Sequence, residues 1–117
     1  MVKWGVISTG TISKAFCDSI RYSQEGELAA VASRSSKNLK HFSDKYGVVT
    51  YDSYDALLKD SSIDAIYIGT PHNSHFDLSL KTLRNGKHLL CEKPMTMNST
   101  EAMILLNESR RLNLFFM

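Results

Sequence analysis

Val2-Lys3-Trp4-Gly5-Val6-Ile7-Ser8-Thr9-Gly10-Thr11-Ile12-Ser13 reads as a strand that runs through a tight turn into a helix. Residues 2–8 are short and apolar and are followed by a glycine-containing turn. Ile12, Ala15, Phe16 and Ile20 then recur at the spacing of one helical face. The same alternation continues along the chain. Residues 28–32 form a second apolar run, and Leu39, Phe42 and Tyr46 mark a helix that Gly47 closes as a left-handed cap. A short strand at 48–51 leads to a brief helix with Tyr54, Leu57 and Leu58, capped by Ser53. Residues 63–68 are apolar enough to be buried on both faces.

Phe76, Leu80 and Leu83 repeat at i, i+4, i+7, and Asn85-Gly86 stops that helix before a strand at 87–91. Asn98 with Glu101 three residues on opens a last helix, which carries Ala102, Leu105, Leu106 and Ser109 on one face. Strands separated by helices imply βαβ units, because a parallel return requires a crossover. The expectation is one α/β domain over residues 1–117 with a parallel sheet. Residues 112–117 read as the start of a sixth buried strand. An apolar run in that position leads to the expectation that the chain is the amino-terminal part of a longer protein.

The formal net charge of +2 is spread over both signs, so there is no basic stripe of the kind that nucleic acid or an anionic membrane requires. No secretory signal pattern and no apolar run of about 18 residues is present, and a cytoplasmic protein is expected. Cys17 and Cys91 are far apart and belong to no C-x-x-C pair, which predicts reduced, packed thiols.

A dinucleotide-binding turn is built on G-x-G-x-x-G between the first strand and first helix. Here Ser8-Thr9-Gly10-Thr11-Ile12-Ser13 retains only the middle glycine, whose missing side chain makes room for a pyrophosphate, and serines stand at the other two places. Hydroxyls on Ser8, Thr9, Thr11 and Ser13 add hydrogen-bonding groups near a helix amino-terminus, which itself favours anions. Taken alone, the turn also fits a plain βα connection that needed one glycine. At the end of the second strand, Ser33-Arg34-Ser35-Ser36-Lys37 has no acid for the adenosine ribose. Arg34 and Lys37 instead form a cationic, hydroxyl-rich cup suited to the 2′-phosphate of NADP, with NAD the other cofactor considered.

The fourth strand ends in Gly69-Thr70-Pro71-His72-Asn73-Ser74-His75. Pro71 biases Thr70 to an extended conformation, and Asn73 or Ser74 can cap the next helix. His72 and His75 lack further ligands at metal spacing, so Thr70, Pro71, His72, Asn73 and His75 are read as cofactor contacts and no metal is expected. Leu90-Cys91-Glu92-Lys93-Pro94-Met95 runs from an apolar strand straight into an acid, an amine and a proline. Lys93 is the candidate catalytic residue, positioned by Glu92, while Pro94 ends the ladder.

With Gly5, Gly10 and Ile12, the Gly-Thr-Pro-His-Asn-Ser-His loop and Cys91-Glu92-Lys93-Pro94-Met95 in this order, the chain resembles the glucose-fructose oxidoreductase, inositol dehydrogenase and MocA family. Within it the chain is most similar to the branch of dimeric dihydrodiol dehydrogenases and NADP-dependent xylose dehydrogenases. The resemblance implies a doubly wound Rossmann fold of strand order 3-2-1-4-5-6 that binds NAD(P), followed by a second domain absent from this chain. It implies Lys93 near the nicotinamide, with Thr70, Pro71, His75 and Glu92 around the cofactor. It also implies hydride transfer to or from a hydroxyl-bearing carbon of a sugar or cyclic diol, and a homo-oligomer at full length. A non-catalytic nucleotide-binding sensor is the alternative. A methyltransferase is disfavoured, because Ser33 and Arg34 stand where that fold places an acid.

Overall fold

The computed structural model describes residues 1–70, 74–92 and 98–117. Strands and helices alternate: β1 (Val2–Ile7), α1 (Thr11–Ile20), β2 (Gly26–Ala32), α2 (Ser36–Tyr46), β3 (Val49–Tyr51), α3 (Tyr54–Leu58), β4 (Ala65–Ile68), α4 (His75–Arg84), β5 (His88–Cys91) and α5 (Ser99–Arg111). The five strands are all parallel in the order β3-β2-β1-β4-β5. The order reverses direction at β1, which places a crevice outside its carboxyl end. A sixth position is occupied in part, because Phe116 makes an isolated parallel bridge to Leu89. Leu89 and Cys91 donate to the carbonyls of Phe115 and Met117, and Met117 N–H returns to Leu89.

Strand residues alternate between two cores because successive side chains leave a strand on opposite faces. Val6, Val31 and Tyr67 point toward α1 and α2, where they pack with Cys17, Leu39 and Phe42. Ile7, Ala30, Ala32, Ile66, Ile68 and Leu89 point toward α3, α4 and α5, where they meet Leu57, Leu58, Leu83 and Leu105. Both faces of the sheet are thereby covered, as a parallel sheet requires. Gly5 is needed within the second core: a Cβ there would meet Ile66 Cδ1 at 2.9 Å and Leu57 Cδ1 at 3.0 Å.

Local signals in the sequence act where they were expected. Gly47 ends α2 at φ 66°, Ser53 accepts from Ala56 N–H at 3.2 Å, and Asn98 Oδ1 accepts from Glu101 N–H at 2.9 Å. Two helical faces are rotated from the expectation. In α1 the fully buried residues are Ser13 and Cys17, whereas Ala15 is exposed and Ile12 is 52% exposed. In α4 the inward stripe is His75, Leu78, Ser79, Thr82 and Leu83, with Phe76 and Leu80 at its margin. Two hydroxyls are tolerated in that stripe in different ways. Thr82 donates to the Leu78 carbonyl at 2.7 Å, and Ser79 Oγ has no hydrogen-bond partner among the described residues.

Candidate functional site

The carboxyl end of β1 turns sharply at Ser8, whose φ of 96° lies where side chains are disfavoured and glycine is the usual residue. Ser8 N–H donates to the Ala32 carbonyl at 2.9 Å, and Ser8 Oγ accepts from Gly10 N–H at 3.3 Å, so the turn is bonded to β2 and to itself. Gly10 then caps α1 with no side-chain hydrogen bond. Its φ of −74° suits any residue, and a Cβ would have only Ser8 Oγ nearby, at 3.8 Å. The protein's own packing does not require glycine here. The absent side chain leaves open space in front of a helix amino-terminus that no side chain caps, and that space suits an anion approached by backbone N–H groups.

The third motif position solves a different problem. Ser13 is fully buried against Gly69, where a Cβ would overlap Ser13 Oγ and stand 3.1 Å from Tyr67 Cε1. The glycine that a dinucleotide turn places on the helix for close packing is thus found on the facing strand end, and Ser13 fills the gap. Ser13 Oγ has no hydrogen-bond partner among the described residues.

Side chains after β2 fasten this turn to its neighbour. Buried Thr9 and Ser33 share a hydroxyl hydrogen bond at 3.0 Å, Asn38 Nδ2 donates to Thr9 Oγ1 at 3.2 Å, and Ser33 Oγ accepts from Ser35 N–H at 3.1 Å. Ser35 in turn caps α2 by accepting from Asn38 N–H at 3.2 Å. Thr9 and Ser33 are therefore engaged with each other, and the exposed groups beside them are Gly10, Thr11, Ile12, Arg34 and Lys37. The Arg34 guanidinium lies 5.3 Å from the centre of the Tyr54 ring. Arg34, Tyr54 and Thr70 share an open cleft of about 650 Å³, which Asp52, Asp55, Asp77 and Lys81 also line. Lys81 Nζ is 3.7 Å from Asp55.

At the end of β4, Thr70 is held by its neighbours. The His75 ring nitrogen Nε2 is 2.6 Å from the Thr70 carbonyl, and Ser74 Oγ donates to Thr70 Oγ1 at 2.9 Å. His75 is 1% exposed, so it acts through the Thr70 carbonyl it contacts. At the end of β5, Glu92 Oε1 accepts from the Tyr67 hydroxyl at 2.5 Å. The strand register explains the pairing: Tyr67 lies beside Leu90, and Glu92, two residues further, returns to the same face. Burial and the adjacent Glu92 carboxylate raise the Tyr67 pKa well above its ordinary value, so the phenol stays a donor. Pro71, His72, Asn73, Lys93 and Pro94 lie outside the described residues.

The thiols of Cys17 and Cys91 are buried and unpaired by disulfides. Burial pushes them up to about 12 and about 11 respectively, which leaves them protonated and inert near neutral pH. Sequence reading missed Asn38, Tyr54 and Tyr67 as site residues. Tyr54 and Tyr67 were legible only as apolar positions of a helix and a strand, and nothing in their spacing signalled Arg34 or Glu92.

Residues 2–117 match the family described as an oxidoreductase family with an NAD-binding Rossmann fold, and the chain belongs to that glucose-fructose oxidoreductase, inositol dehydrogenase and MocA family. It is 40% identical over 118 residues to trans-1,2-dihydrobenzene-1,2-diol dehydrogenase of Xenopus laevis, covering 98% of this chain and 36% of that protein. It is 33% identical over 133 residues to D-xylose 1-dehydrogenase (NADP(+)) of Hypocrea jecorina, covering 99% of this chain and 33% of that protein. A 3-ketoreductase from Actinomadura kijaniata, solved with NADP and TDP-benzene, superposes with a TM-score of 0.96 at 31% identity over 99% of this chain and 36% of the other. The chain thus spans about a third of the length of the relatives it matches. No helix among the described residues is long and apolar enough to cross a membrane.

Proposed function

We propose that residues 1–117 are the NADP-binding domain of a two-domain dehydrogenase that moves a hydride between nicotinamide and a hydroxyl-bearing carbon of a sugar or cyclic diol. The observation that carries the cofactor part is the open space facing Gly10 at the uncapped start of α1, which the protein's own packing does not use. The diol and xylose dehydrogenases among its relatives support the substrate class. Their length, about three times that of this chain, supports a second domain, to which we assign most of the substrate pocket and the homo-oligomer contacts. We take the protein to be cytoplasmic.

Gly10, Thr11 and the first N–H groups of α1 hold the pyrophosphate, and exposed Ile12 offers an apolar wall beside it. Arg34, steadied against Tyr54, and Lys37 receive the 2′-phosphate, because a guanidinium fork matches phosphate oxygens. Thr70, Pro71, His72, Asn73 and His75 are assigned as further cofactor contacts from their place in the sequence after β4. The nicotinamide supplies the hydride chemistry when bound. Lys93 is assigned to orient or protonate a substrate oxygen, with Glu92 and Pro94 as its neighbours in the sequence motif.

Asp52 and the other carboxylates of the cleft favour a second reading, in which an acid takes the ribose hydroxyls of NAD. Calorimetric titration of NADP and NAD into the chain and its Arg34→Ala variant separates the two. Tighter NADP binding that falls to the NAD level in the variant is the expected result. Tighter binding of NAD that ignores Arg34 selects the second reading, and no binding of either removes the cofactor reading.

A further inference from the structure

The strongest unassigned feature is a row of contacts that crosses the site from α1 to the end of β5. Trp4 meets Phe16 edge to face with centroids 5.2 Å apart, and Phe16 stacks on Tyr67 at 4.1 Å with an interplanar angle of 6°. The Tyr67 hydroxyl then donates to Glu92 Oε1 at 2.5 Å. Tyr67 is 3% exposed, so its ring has one place to sit, and the missing side chain of Gly69 leaves room for its edge, where a Cβ would stand 3.1 Å from Tyr67 Cε1. Glu92 is only half-buried and carries a flexible side chain, which a rigid donor holds in one rotamer.

The position of this row gives it a role. A doubly wound sheet binds the two halves of a dinucleotide on either side of β1. The β2 side carries Arg34, so the β4 and β5 side, where Tyr67 and Glu92 lie, takes the other half. We propose that Tyr67 is the positioning residue of the nicotinamide half: its hydroxyl, braced by Phe16 on the helix that faces the pyrophosphate, holds the Glu92 carboxylate at the exit of β5. This inference rests on the dinucleotide reading above, and Tyr67 acts through Glu92 without touching the cofactor itself.

The test compares NADP with 2′-phospho-ADP-ribose, which lacks the nicotinamide. Tyr67→Phe keeps the ring and its stack on Phe16 and removes only the donor. Its expected effect is about a tenfold rise in the Kd for NADP, the scale of one charge-assisted hydrogen bond, with the Kd for 2′-phospho-ADP-ribose unchanged within about twofold. Glu92→Ala is expected to show the same selective loss, and Tyr67→Phe is expected to add nothing in the Glu92→Ala background. Equal weakening of both ligands, no weakening of NADP, or a further loss in the double variant overturns the inference. Should Tyr67→Phe not fold, absence of a selective loss in Glu92→Ala overturns it. Failure of the unmodified chain to bind either ligand is a separate result, and it overturns the dinucleotide reading itself.

Discussion

Gly10 at the start of α1 and Gly69 after β4 both lie at the carboxyl edge of the sheet, yet their surroundings make opposite demands. Gly10 faces open space and has an ordinary φ, so Gly10→Ala is expected to leave stability within about 0.5 kcal/mol. A weaker helix cap is offset by a less flexible unfolded chain. The same variant should weaken NADP binding at least tenfold, and a thermal melt run beside a calorimetric titration checks both halves of that statement. At Gly69 the cost falls on the fold. Gly69→Ala should destabilise by about 1–3 kcal/mol in denaturant melts, because its methyl overlaps Ser13, and Ser13→Gly in the same chain should recover part of the loss. Ser8 stores strain of the same order. Ser8→Gly should stabilise by roughly 1 kcal/mol, the released strain at φ 96° exceeding the entropy that glycine adds to the unfolded chain.

At the scale of elements, the connection from α3 to β4 is held by one carboxylate and one buried amine. Asp60 accepts from the Tyr51 hydroxyl at 2.7 Å and from Ser62 through both its backbone N–H and its hydroxyl. Buried Lys87 donates to the carbonyls of Asp60 and Ile63 at 2.7 and 2.8 Å. The hydrogen bonds from Ser62 and Tyr51 hold the Asp60 carboxyl down at about 2. A carboxyl whose pKa is lower folded than unfolded adds stability above its ordinary value near 3.8, and that stability is lost as pH falls toward 2. Urea midpoints measured from pH 5 to pH 2 should therefore fall less steeply in Asp60→Asn than in the unmodified chain. Lys87→Met should cost about 1–3 kcal/mol at neutral pH, since it leaves the buried Ile63 carbonyl without its donor, whereas the part-buried Asp60 carbonyl keeps the Ile63 N–H.

For the whole molecule, α1 and α2 cover one face of a five-stranded sheet while α3, α4 and α5 cover the other, and the site lies along the edge where every strand ends. A cofactor at the proposed site would touch groups that follow several strands at once, so it would stabilise only the assembled fold. At a concentration of about 100 times its Kd, NADP should add about 2.7 kcal/mol and raise the melting temperature by roughly 10 °C, which a thermal shift series reads directly. Much of this architecture was readable in advance. Short apolar runs, helical period-3.6 patterns and the caps at Gly47, Ser53 and Asn98 depend on residues a few positions apart, so the order of elements and the α/β class were already encoded locally in the chain. The rotated faces of α1 and α4, the exchange of glycine for serine between positions 13 and 69, the Arg34 contact with Tyr54 and the Tyr67 bond to Glu92 arise from packing between elements. Each joins residues from different elements, and which groups meet across a parallel sheet is set by strand register and by packing on both faces, neither of which local spacing encodes.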